Sequence, residues 1–173
     1  MTRQPLDQRT QATVTIAWVI IANKPFYPLY VWWLIGSGVR TSTATLASIP
    51  FLLVIPLVAG RSSFFARFAL PLFGTLDTVF ETIIFGKASG TLLFLAPCMA
   101  LVLVSLYGRE KWWQRGLACF ILACFVVSWK TMGDPLFPWD SDQLTALLNI
   151  NAFAVASLMT FIAIRYAGAT ADT

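Results

Sequence analysis

The sequence predicts an all-α, polytopic membrane protein of six transmembrane helices with both termini cytoplasmic, and three observations predict it. Of the 173 residues, 58% are hydrophobic and only 12% are charged, whereas a soluble domain carries roughly 25% charged residues to cover its surface. The mean hydropathy is +0.74. The charges punctuate apolar runs instead of forming one basic face, so the net charge of +4 does not point to nucleic acid. Six of those runs approach the roughly 20 residues that a helix needs to cross about 30 Å of hydrocarbon. The length fits a single transmembrane domain over residues 1–173.

The first span is expected over Thr13–Leu34, kinked by Asn23, Lys24, Pro25 and Pro28, because proline removes a helical donor and clashes with the preceding turn. A cleaved signal peptide is the rival there, but Ala22-Asn23-Lys24-Pro25 is not a small-x-small cleavage site, and a retained span is expected. The second covers Thr43–Ala59, with Pro50 and Pro56 inside it. The third runs Phe64–Phe85, the fourth Thr91–Tyr107, the fifth Trp112–Trp129 and the sixth Leu144–Ile164. Gly36, Ser37 and Gly38 mark a turn after the first span. Lys130 to Gln143 is the longest loop, with Gly133, Pro135 and Pro138 as turn formers. Its acids Asp134, Asp140 and Asp142 do not have the spacing of a calcium loop and are expected to be solvated.

Orientation follows from the cations of the short loops. Arg3, Arg9, Arg61, Arg67, Arg109, Lys111, Arg115 and Arg165 fall on one side, against Arg40, Lys87 and Lys130 on the other. The richer side should be the cytoplasm, which also requires an even number of spans. Trp32, Trp33, Trp112, Trp113, Trp129 and Trp139 sit near span ends, where amphipathic rings favour the headgroup zone.

The chain has no histidine, which removes the commonest general base and metal ligand. Cys98, Cys119 and Cys124 lie in apolar runs and read as small buried hydrophobes. No nucleophile–base pair, metal cluster or phosphate loop is visible, so neither an enzyme nor a cofactor or metal is expected.

The residues that need a chemical explanation are the ionisable ones within spans. Asp77 and Glu81 are four apart in the third span and so share one helix face. A carboxylate at mid-bilayer costs about 2.5–3.5 kcal/mol or more, so the pair should face protein or a water-filled cavity. One of the two is expected to hold a proton, since burial and a neighbouring anion both favour the neutral acid. At 1.5 Å per residue Asp77 lies about 20 Å across the bilayer and Glu81 about 26 Å, near the outer interface. Lys24, with its flexible stem, lies close to the midplane of the first span and is the expected partner of Asp77. Asn23 and Asn149 reach a similar level, with Thr78, Thr82 and Asn151 nearby. Asn149 and Asn151 are roughly opposite on a helix, so one of them should point inward. Two explanations stay open. The polar groups glue helices together through interhelical bonds, or Asp77, Glu81, Lys24, Asn23 and Asn149 form a ligand-binding or proton-linked site. Gly86 and Gly90 make either a close helix contact or a turn.

The stretch Phe85-Gly86-Lys87-Ala88-Ser89-Gly90-Thr91-Leu92-Leu93-Phe94, followed by Leu95-Ala96-Pro97, resembles a segment of the six-helix membrane sensor modules that precede nucleotide cyclases and histidine kinases in bacterial signalling proteins. The resembling features are the small-Ser-Gly turn, the apolar helix after it and the basic loop Arg109–Arg115. The resemblance is strongest over Phe85–Lys111 and elsewhere only architectural. It implies a bacterial inner-membrane sensory or interaction module. No output domain follows Arg165 in this sequence, so the resemblance implies a stand-alone version that acts through a protein partner or a second copy of itself, on a small-molecule ligand. Six spans in so short a chain also look like the substrate-capturing subunits of vitamin transporters, for which Ala66, Ala69 and Gly74 would supply a coupling face of small residues.

Overall fold

The computed structural model describes residues 6–170, which are helical throughout except for turns and one long loop. The helices are α1 (Gln8–Asn23), α2 (Tyr27–Ile35), α3 (Val39–Ser42), α4 (Ile49–Ala59), α5 (Ser63–Phe85), α6 (Leu95–Ser105), α7 (Lys111–Thr131) and α8 (Ser141–Thr170). Four helical stretches are long and apolar enough to cross a membrane: Val39–Ala59, Ser63–Phe85, Gly108–Thr131 and Ser141–Gly168. The chain is thus a helical membrane protein. Arg3, counted above among the loop cations, lies outside the described residues.

Two of the six expected runs fall short of that standard, for local reasons. The first is divided by Lys24-Pro25 into α1 and α2, joined by a tight 3-10 turn over Lys24–Phe26. Pro25 and Pro28 each sit where a new helical segment begins, the place where a missing N–H costs least. The fourth opens in another 3-10 turn, Thr91–Phe94, and its α-helix has only 11 residues.

Capping explains several boundaries. Asp7 caps α1, its carboxylate accepting from the Thr10 N–H at 2.9 Å and the Thr10 hydroxyl at 2.7 Å. Ser62 caps α5 by accepting from the Phe65 N–H. Such caps satisfy donors that the first helical turn leaves open. α2 ends where Gly36 turns left-handed at φ 77 and donates back to Val31 and Trp32.

α5 is the centre of the bundle: 44% of its apolar window is buried, against 17% for the windows of the α7 and α8 stretches. It packs on α1, α4 and α6. Ile16, Ala17, Leu52, Ile55, Ala66, Leu70, Leu101 and Ile162 interlock around its first half. α7 is peripheral and buries only the stripe Leu117, Ile121 and Ser128, a spacing of four and seven that keeps one face inward.

The two ends of the bundle are distinct. At the near end, where α1 begins, Thr13 and Tyr166 share a hydrogen bond of 2.7 Å, which brings the start of α1 and the last turns of α8 together. At the far end the Gln143 amide donates to the Ser37 hydroxyl, and the loop after α7 folds over α5 through the Leu136 N–H to the Ile84 carbonyl. Trp139 on that loop differs from the interfacial placement expected of it. It is buried, stacked on Phe85 at 6.1 Å and against Phe137 at 4.6 Å. The other five tryptophans expected at span ends are exposed on the helix surfaces. The turn over Gly86–Gly90 is a loop, with φ of 74 and 79 at the two glycines, so the turn reading prevails over a helix–helix contact.

Gly38 shows why the far end needs its glycines. It adopts φ 70, and a Cβ there would fall within the Trp139 ring. Gly38→Ala should expel Trp139 and destabilise the protein by about 2–4 kcal/mol, from left-handed strain and lost packing together. Hydrogen exchange of residues 132–140 should rise in that variant. Unchanged exchange would show that the loop does not depend on this contact.

Candidate functional site

Lys24, Asp77 and Glu81 meet inside the bundle. The Lys24 Nζ lies 2.6 Å from Asp77 Oδ2 and 2.7 Å from Glu81 Oε1, and donates to the Thr45 carbonyl at 3.1 Å. The side chains retain 9%, 12% and 14% of their exposure respectively, so all three ionisable groups are largely withdrawn from solvent. Each neighbour arises from a local necessity. The helical repeat puts Asp77 and Glu81 one turn apart on the inward face of α5. Pro25 stops α1 at the residue that carries the ammonium. The 3-10 turn Thr43–Ser48 leaves the Thr45 carbonyl free of an α-helical partner, and Lys24 takes it.

Glu81 therefore differs from the solvated position that a straight depth count gives it. Rise along α5 alone takes no account of the segments packed beside it, here the break at Lys24 and the Thr43–Ser48 turn. Asn23 and Asn149 are not brought to the site: both are exposed. Asn151 is the inward asparagine of α8, fully buried, and serves a different purpose. Its amide donates to the Ser89 carbonyl at 2.9 Å and its carbonyl accepts from the Tyr27 hydroxyl at 3.3 Å. Thr82 and Thr91 share a hydrogen bond at 2.9 Å beside it. That network pins the Gly86–Gly90 turn to α8. Among the cysteines, Cys98 is buried against α5, whereas Cys119 faces outward and Cys124 is half-buried, so only Cys98 is a core residue.

A second ionic cluster, not anticipated as such, occupies the near end. Arg67 is 5% exposed, lies 3.1 Å from Asp7 Oδ2 and 2.5 Å from Glu110 Oε1, and donates to the Thr10 hydroxyl at 3.1 Å. The Arg9 guanidinium stacks over the Tyr107 ring at 3.9 Å. In the sequence Arg67 resembles one more loop cation, because it falls within the first turn or so of the third span, close to Arg61. The available signal was the pair of acids, Asp7 and Glu110, on the cation-rich side. Burial pushes the Asp7 carboxyl up, but the Thr10 hydrogen bonds and the Arg67 charge outweigh it, holding Asp7 below its ordinary range.

The sign of the resulting pH dependence is fixed. A carboxylate depressed in the folded state stabilises above its unfolded value, on the order of pH 4, and that stabilisation is lost as pH falls through the folded value. Purified protein should therefore hold the start of α1 in place from neutral pH down to about pH 4 and release it below that. Hydrogen exchange of the first turn of α1 checks this, with Asp7→Asn removing the acid-dependent step.

α1 and α5 run in the same direction, and ion pairs join them twice: at Asp7–Arg67 and at Lys24 with Asp77 and Glu81. Pro71 lies between the two clusters on α5 and offers no N–H to the Arg67 carbonyl, which loosens that turn. Two surface hollows, about 440 Å³ on the outer side of α8 and about 260 Å³ beside Thr82, Met132 and Asp134, are not lined by Lys24, Asp77 or Glu81. Ala66 and Ala69 are buried and Gly74 faces Cys98, so these small residues present no free coupling face. Among the described residues no cluster of candidate metal ligands occurs. Compared with family models, curated proteins and solved structures, the chain finds no match.

Proposed function

We propose that this chain is a non-enzymatic, six-span sensory module of a bacterial inner membrane, with both termini cytoplasmic, that acts through a protein partner. The observation that carries the proposal is the Lys24–Asp77–Glu81 triad, buried at the break of the first helix. Intramembrane ionisable groups are costly and are kept where they do work. An irregular backbone at that depth is tolerated only beside protein or a cavity. The triad joins the hinge of the first span to the central helix, and the same central helix carries Arg67, which holds the start of α1 and the Tyr107–Glu110 segment. A change of charge in the triad would thus be felt at the cytoplasmic end, where a partner can respond. The near end carries the cation excess, and Arg109, Lys111, Trp112 and Arg115 are exposed there.

Substrate capture for a transporter draws less support, since neither hollow is lined by the triad and the small residues are packed inside. A purely adhesive role for the triad is the serious rival.

Asp77→Asn separates sensing from adhesion. The expected result is normal abundance and thermal stability, with altered in-membrane crosslinking from the Arg109–Arg115 segment to its partner. Loss of assembly in this variant would leave the triad as helix glue and end the sensory proposal.

A further inference from the structure

The triad is one positive charge short. With all three groups ionised, two carboxylates face a single ammonium, which leaves a net charge of −1 in a site almost closed to water. The three N–H donors of the Lys24 ammonium are matched by three acceptors, Asp77 Oδ2, Glu81 Oε1 and the Thr45 carbonyl, so lysine has nothing further to offer. Asp77 Oδ1 is buried and has no hydrogen-bond partner. Among the described residues the groups around the pair add no second cation: Tyr27 of α2 is bonded to Asn151, Cys98 of α6 sits against Gly74, and Thr75 and Thr78 turn their hydroxyls to the carbonyls of Pro71 and Gly74. A buried unpaired charge is neutralised by taking up or releasing a proton long before its full desolvation cost is met, and two interacting carboxyls titrate as one unit.

We propose that the Asp77–Glu81 pair binds one proton while Lys24 remains charged, so that the triad is a proton-binding site whose closed, packed state is the protonated one. This rests on the sensory reading above and names its ligand. Loss of the proton leaves the site at −1. Water must then enter at the Lys24–Phe26 turn, where the first span is already broken, and α1 loosens from α5. The proton leaves to water and returns from it, with no other bond made or broken. A metal ion fits less well, because it would have to sit beside the ammonium that already occupies the two facing oxygens.

The test is infrared difference spectroscopy of the protein in lipid nanodiscs as pH is stepped upward from about 6, above the range in which ordinary carboxyls such as Asp7 hold a proton. One protonated-carboxyl C=O band per chain is expected in the wild type, disappearing in a single step. The band should be absent from both Asp77→Asn and Glu81→Gln, because either amide leaves one carboxylate opposite one ammonium and a neutral site. Both variants should stay folded and lose the wild-type pH dependence of hydrogen exchange around Lys24. Lys24→Met should give a band of about twice the area, both acids then being neutral. Absence of the band from folded wild type at every pH would overturn the proposal, as would a band surviving in both amide variants. Stabilisation of the wild type by sodium or potassium ions, with no carboxyl band, would overturn it in favour of a bound cation. If the band behaves as expected but Asp77→Asn leaves partner crosslinking unchanged, the proton site stands and the sensory reading fails.

Discussion

Lys24→Met should destabilise the bundle by about 3–5 kcal/mol, the range for removing one partner of a buried ion pair. The methionine fills the same slot with similar bulk, so packing is nearly conserved and the loss is electrostatic. Asp77 and Glu81, at 12% and 14% exposure, would lose the cation between them and stay buried only by both binding protons, and the Thr45 carbonyl would keep the Ser48 hydroxyl as its one side-chain donor. Replacing all three groups together, as in Lys24→Met with Asp77→Leu and Glu81→Met, should recover most of that loss, since an apolar substitute for a complete buried ion cluster is commonly neutral or better. Unfolding in mixed micelles, followed by far-ultraviolet circular dichroism, provides the measurement. A loss below about 1 kcal/mol for the single variant would mean the triad is solvated like a surface pair.

The second large effect is expected at the other end of the same helix pair. Arg67→Met should cost about 2–3 kcal/mol, the scale of charge-assisted hydrogen bonds lost to partly buried acids. Glu110 contributes more than Asp7, because the Asp7 side chain keeps 40% of its exposure and the Glu110 side chain only 18%, and water screens the former. The damage should be local. Hydrogen exchange ought to rise in the first two turns of α1 and across Tyr107–Glu110, while the Asn151–Ser89 network at the far end stays protected. Uniform loss of protection over the whole bundle would show instead that Arg67 holds the global fold.

These two clusters also show what could be read from residues alone. The pairing of Lys24 with Asp77 was accessible because a charge inside an apolar run demands a partner, and helical rise places both at one depth. A depth count sets Glu81 too near the surface, because rise along one helix says nothing about what neighbouring segments fold over it. The choice between Asn149 and Asn151 depends on the rotation of α8, which a uniformly apolar helix does not announce. Arg67 was hidden for the opposite reason: a cation within a turn of a loop looks like every other cation on that side. Trp139 reads as a membrane anchor in the sequence because its burial depends on Gly38 and Phe85, remote in sequence. The helices α5 and α7 are legible to within two residues, whereas α8 runs three residues earlier and six later than its apolar run announces. The first and fourth runs are not legible in that way, because prolines and short 3-10 turns divide them.

The break at Lys24 carries a consequence for biogenesis. The stretch Gln8–Ile35 is not among the four that are long and apolar enough to cross on their own account, and it emerges from the ribosome with a charge whose partner Glu81 lies 57 positions behind it. An isolated lysine near the bilayer centre resists partitioning. The opening segment is therefore expected to settle only after α5 has entered beside it, so that the earliest helix waits on a later one.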